Sequence, residues 1–262
     1  MAFPHRVAML VLAGVLFGFG LRGPVVCPAL AHQSQAKPAE SPQPCFHRTR
    51  VIGYSQVGQP RGGWYVAGGA FESLVGDERW ELLWAGGAGV DRWREVVYAG
   101  WARPLISPCP GDEPPDRVLL SVSGPYGSDE KAWAAAITAT VENIRGKIPS
   151  ARKIVLQPVV GGPEGKSCPA RGGDRVRASW QHNHIANAIR EVEKQYAAAT
   201  EQPVRVIAGY LPRVRDCDDY SDGLGHLKPE AAEAIGRTIG EHYARLDAEC
   251  QAGGHARCGK GK

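Results

Sequence analysis

The chain has no C-x-x-C pair, no internal repeat and no stretch in which basic residues interleave with aromatics. Without a C-x-x-C pair its cysteines are not arranged for metal. A net charge of only +4 with no basic stripe excludes nucleic acid as the expected partner. Charges alternate in sign over most of the length, the pattern of an ordinary solvated surface. Asparagine is scarce, with only Asn143, Asn183 and Asn187. The one long apolar run, Val7 to Gly20, is short of the roughly 20 residues a membrane span needs.

That run follows Arg6 and precedes Ala29-Leu30-Ala31, small residues where a signal peptidase reads. Residues 1–31 are therefore read as a signal peptide, with a single span as the alternative, and Val26 is too bulky for a lipobox before Cys27. The expected product is secreted or periplasmic, with no stable membrane insertion after cleavage. About 230 of the 262 residues remain, enough for one domain with a full core. Residues 32–48 read as a flexible lead-in, 49–247 as the domain and 248–262 as a basic tail. Six cysteines remain, an even number that favours disulfides in an exported chain. The pairing expected is Cys168 with Cys217, Cys250 with Cys258, and Cys45 with Cys109.

Five short apolar runs carry β-branched residues: Arg50–Tyr54, Trp80–Trp84, Arg117–Ser123, Lys153–Val160 and Val204–Tyr210. They lack strict alternation, as strands buried on both faces do. Between them lie helical stripes: Trp133, Ile137, Val141, Ile144 and Ile148; then Ile185, Ile189, Val192 and Tyr196; then Ala232, Ile235, Ile239, Tyr243 and Leu246. This alternation predicts an α/β fold, three layers with a five-stranded parallel, flavodoxin-like sheet. Ligands in such sheets sit beyond the carboxyl ends of the strands, so the loops there are the places to look for chemistry.

The first such loop is "VIGYSQVG", in which Ser55 sits on a tight turn directly after a strand. Serine is a common turn residue, so these letters alone specify only a turn. The last loop, "DGLGHLKPEAA", sets Asp222 four residues before His226, and Pro229 opens the final helix. Both loops fall on one rim. A hydroxyl nucleophile needs a neutral imidazole to take its proton, and the imidazole needs a carboxylate to fix its tautomer.

On these residues the chain resembles the SGNH/GDSL hydrolase superfamily, from about residue 50 to 247. Gly53-Tyr54-Ser55 stands where the family has Gly-Asp-Ser, and Asp222 to His226 where it has Asp-x-x-His. The extra residue between them leaves Asp219 or Asp218 as alternative orienting acids. The resemblance implies a cofactor-free serine esterase with Ser55, Asp222 and His226 as its catalytic residues. Its oxyanion donors would be the amides of Ser55 and of Gly87 or Gly89. The third block, "LLSVSGPYGSDE", lacks the family's asparagine, so amides around Gly124 or a side chain from 181–184 must stand in.

Substrate contact is expected from Gln181, His182 and Asn183, and from Trp93, which lies near the rim with Trp180. His182 and His184 are two apart, which does not place them on one helix face, so no metal is expected. The expected substrate is an ester of a small molecule or glycan, with carbohydrate acetyl groups the first choice. A catalytically silent glycan- or partner-binding protein on the same scaffold, or an acyltransferase, are the alternatives.

Overall fold

The structure is a computed structural model that describes residues 45–258, apart from 77, 112, 165, 171 and 200–203, with side chains to residue 252. The signal peptide, most of the lead-in, Cys27 and the side chain of Cys258 lie outside the described residues. Five strands, β1 (Thr49–Gly53), β2 (Trp80–Trp84), β3 (Arg117–Val122), β4 (Lys153–Pro158) and β5 (Arg205–Ala208), form one sheet in the order β2-β1-β3-β4-β5. Every pairing is parallel. This is the flavodoxin-like order, whose switch point lies between β1 and β3.

Among the described residues six α-helices accompany the sheet, besides three short 3-10 turns: α1 (Ser55–Gly58), α2 (Ala70–Val75), α3 (Val90–Trp93), α4 (Glu130–Lys147), α5 (Arg177–Ala198) and α6 (Pro229–Cys258). The Asp129 side chain accepts from Ala132 N at 2.9 Å and so caps α4, while Pro229 begins α6. Helix α4 packs on α5, and α2 packs on α6. The apolar stripes turn inward as expected, with Trp133, Ile137, Val141, Ile185, Ile189, Val192, Ala232 and Ile239 essentially inaccessible. Leu246 departs from its stripe and is 40% exposed.

Thr49, Trp80 and Arg117 occupy one register row and share one face of the sheet. Arg117 makes a bidentate pair there with Asp247 of α6, at 2.7 and 3.0 Å, and donates to Thr49 Oγ1 at 2.7 Å. Its guanidinium also sits 4.7 Å from the Trp80 ring centre. The fork geometry of arginine satisfies the buried carboxylate with two parallel bonds, which is what makes burial of the pair tolerable.

Three sequence expectations change here. Cys168 bonds Cys217 as expected, but Cys45 bonds Cys250, and Cys109 is a buried free thiol. The reason is the length of α6. At about 1.5 Å per residue its 30 residues carry the chain from the rim at the carboxyl ends of the strands back past their amino ends, where Cys45 enters. Residues 45–48 are accordingly no loose lead-in: the amides of His47 and Arg48 both donate to Asp116 at 3.1 Å. Likewise residues 248–258 continue α6 rather than starting a tail. Among the described residues no helix is long and apolar enough to cross a membrane.

Candidate active site

Strand β1 ends at Gly53, Tyr54 remains extended, and Ser55 is the first residue of the one-turn helix α1. The hydroxyl therefore stands at the carboxyl end of a central strand, beside the switch point. Residues 220–227 form a closed loop before α6, in which Tyr220 bridges Leu227 and Ser221 N donates to His226 O at 2.7 Å. That loop brings His226 Nε2 to 2.7 Å from Ser55 Oγ.

Of the three candidate acids, Asp222 is the one that meets the His226 ring. Its Oδ2 lies 2.5 Å from His226 Nδ1. Its Oδ1 accepts the backbone N–H groups of Leu224, Gly225 and His226 at 2.9, 3.0 and 3.1 Å. Asp219 instead accepts from the amides of Arg215 and Asp216, closing a short turn of its own, and Asp218 is exposed. Partial burial opposes ionisation of Asp222, but the His226 side-chain and backbone hydrogen bonds outweigh it and hold the carboxyl below its ordinary range. A carboxylate on Nδ1 keeps the proton there and leaves Nε2 as the acceptor for the serine proton.

A cavity of about 510 Å³ opens over this pair, a size that accommodates a small organic ligand. Ser55, His226, Gly87, Gly89, Gly124 and Gln181 all line it. Gly89 cannot be replaced without displacement, because a Cβ there would lie 2.4 Å from Ser123 O and 2.8 Å from Gly124 Cα. The amide of Val90 donates to Ser123 O at 2.7 Å and locks the loop after β2 onto the loop after β3. None of the backbone hydrogen bonds that knit this rim uses the N–H of Ser55, Gly89 or Gly124.

No asparagine reaches the cavity. Asn143 donates to Trp93 O at 2.8 Å, Asn183 accepts from Arg213 at 2.7 Å, and Asn187 donates to Glu130 at 2.7 Å. Gln181 is 4% exposed, faces the cavity, and its side chain makes no hydrogen bond to another described residue.

Of the α5 residues expected to contact substrate, only Gln181 lines the cavity. Successive helix residues step by about 100°, so Gln181 faces the cavity, His182 points into the core and Asn183 points outward. His182 is fully buried with Nδ1 2.7 Å from Val159 O, while His184 meets Glu130 at 2.9 Å, so the two imidazoles serve separate contacts. Trp93 is also core: it is inaccessible and packs edge-on against Tyr98 and Trp101 at 5.2 and 4.9 Å. Its helix is a single turn, too short for periodicity to indicate which way a side chain faces. The aromatics that do line the cavity are Tyr54 and Trp84, joined by Gln59, Asp91, Arg177 and Leu224. Nothing in their spacing distinguishes them from core or surface positions.

The burial of His182 has a measurable consequence. Desolvation, against the opposing bond to Val159 O, lowers its pKa from 6.5 to about 4. The folded state thus holds this ring neutral where the unfolded chain would protonate it. The stability this contributes is present above pH 6.5 and is lost as pH falls toward about 4. At about 1.4 kcal/mol per pH unit the loss is about 3 kcal/mol. Urea titrations at a series of pH values should show this slope, and His182→Asn, which keeps a donor for Val159 O, should flatten it. An unchanged slope in that variant would refute the assignment.

No protein-family model matches the chain, and no curated protein matches it. Solved structures do align with it. A carbohydrate esterase family 3 structure from Talaromyces cellulolyticus covers 77% of this chain and 98% of its own, at 11% identity and TM-score 0.48. The periplasmic domain of a lipopolysaccharide acetyltransferase from Salmonella ser. Paratyphi A covers 77% and 85%, at 15% identity and TM-score 0.43. A candidate SGNH hydrolase from Slackia heliotrinireducens covers 76% and 97%, at 15% identity and TM-score 0.36.

Proposed function

We propose that the chain is an exported serine esterase, cofactor-free, in which Ser55 is the nucleophile, His226 the general base and Asp222 the orienting acid. The observation that carries this reading is the 2.7 Å contact between Ser55 Oγ and a His226 ring whose other nitrogen meets a carboxylate. His226 Nε2 takes the hydroxyl proton as Oγ attacks the ester carbonyl. The tetrahedral oxyanion is held by the N–H groups of Ser55, Gly89 and Gly124, with the Gln181 amide in the place of the family's asparagine. His226 then protonates the leaving alcohol, and water repeats the cycle to release the acid. Each such donor is worth about 3 kcal/mol of transition-state stabilisation, so a replacement for the asparagine matters.

An acetyl ester of a carbohydrate suits a cavity in which Trp84 offers a stacking face and Gln59, Asp91 and Arg177 offer hydroxyl partners. The two disulfides and the N-terminal signal pattern support export. A second reading, a silent glycan-binding protein, is favoured by the missing asparagine alone.

Labelling of the purified chain with a fluorophosphonate separates the two. The expected result is one adduct, mapped to Ser55 and absent from Ser55→Ala and His226→Ala. A well-folded chain that takes no adduct would end the esterase reading and leave the binding one.

A further inference from the structure

The residue after the candidate nucleophile is Gln56, 1% exposed and without any counterpart in the motifs that drew attention to Ser55. Its amide is fully engaged. Oε1 accepts from Val160 N at 2.7 Å and from the Tyr54 hydroxyl at 2.6 Å, while Nε2 donates to Gly225 O at 2.8 Å. The partners fix which end of the amide is which, since a backbone N–H must meet the oxygen and a carbonyl the nitrogen. Burial, reinforced by the nearby Tyr220, raises the Tyr54 hydroxyl well above its ordinary pKa, so it stays a donor.

These contacts join the immediate neighbours of Ser55 and His226, which are 171 positions apart in sequence. The base loop fixes its own shape through Asp222 and through Ser221 N on His226 O. Neither bond sets where the loop stands relative to β1. Gly225 has φ of +102° and lies against α5, where a Cβ on it would come within 2.3 Å of Ala178 Cβ. Its carbonyl is thereby turned inward, toward Gln56.

We propose that Gln56 is a positioning residue, a buried amide latch that holds the His226 loop at hydrogen-bond distance from Ser55. This rests on the esterase reading above. Catalytic groups must be held to within about 0.5 Å, and an error of about 1 Å costs on the order of 100-fold in rate. Gln56→Leu, which removes donor and acceptor together, is therefore expected to lower kcat by about 10- to 100-fold with KM within about twofold.

Gln56→Glu provides the sharper test. A neutral glutamic acid keeps the three shorter bonds of the amide, an O–H for Gly225 O and a carbonyl oxygen for Val160 N and Tyr54, and gives up only the 3.5 Å donation to Val160 O. Its carboxylate has no proton for Gly225 O. The ratio of its kcat to that of the wild type should be near one in acid and fall as pH rises. A ratio flat with pH, or a Gln56→Leu variant that melts normally and turns over like the wild type, would overturn the proposal. A wild type without Ser55-dependent turnover would instead defeat the esterase reading. Crystals of Gln56→Leu would then decide the latch: a Ser55–His226 separation well beyond hydrogen-bond range supports it, and an unchanged 2.7 Å contact overturns it.

Discussion

Replacing Asp222 with asparagine lowers the proposed ester turnover on the order of 10⁴-fold while leaving the fold intact. The magnitude follows from where the two carboxylate oxygens point. Oδ1 receives the three amides of Leu224, Gly225 and His226, and an amide oxygen in its place can accept them too. Oδ2 faces His226 Nδ1, and an amide nitrogen there is a donor. The imidazole must answer with a bare Nδ1, which moves its proton to Nε2, directly facing Ser55 Oγ. A ring protonated at Nε2 cannot accept the serine proton. The loop keeps its shape and the base holds the wrong tautomer. Asp219→Asn is the control, since its carboxylate closes a neighbouring turn and touches neither ring nitrogen. Steady-state kinetics on a small activated ester, with thermal melts alongside, check both variants. An Asp222→Asn enzyme within about threefold of the wild type would remove Asp222 from the mechanism.

At the amino ends of the strands, Asp247→Ala is expected to destabilise the protein by about 3–5 kcal/mol. Arg117 is 4% exposed, and its guanidinium directs two bonds at the Asp247 carboxylate. Removing the carboxylate leaves that charge in a site closed by Trp80 and Phe46. Lys153 aggravates the loss. Burial already lowers its pKa, the charges of Arg117 and Arg205 lower it further, and Asp247 opposes them. Bonds to Thr49 and stacking on Trp80 offset part of the cost. Urea denaturation at neutral pH measures the effect, and a loss below about 1 kcal/mol would show that Arg117 reaches water or another partner. Replacing both residues by apolar ones of similar size should recover much of the stability, because the unpaired charge is the penalty.

The strands, the long helices and the loops that carry the site could be read along the chain. Burial on both faces writes continuous apolar runs such as Val118 to Leu120, and an amphipathic helix repeats apolar residues every three or four. Ser55 and His226 were legible for a related reason. Each sits at a fixed place relative to an element boundary, and alternating strands and helices bring all such boundaries to one rim.

What only the tertiary structure decided has a common physical origin: it depends on direction across space rather than on spacing along the chain. Three aspartates in one loop are equivalent as letters, and the path of residues 222–226 selects Asp222. Trp84 rather than Trp93 meets the cavity because a one-turn helix carries no periodicity to orient it. Cys45 finds Cys250 because α6 is long enough to return across the whole sheet. Gln56 bonds Gly225 across 169 positions, and nothing local to either residue anticipates the other. Periodicity reports which face of an element is buried. Which partner waits on that face is set by how the elements close on one another, a property the linear order does not carry.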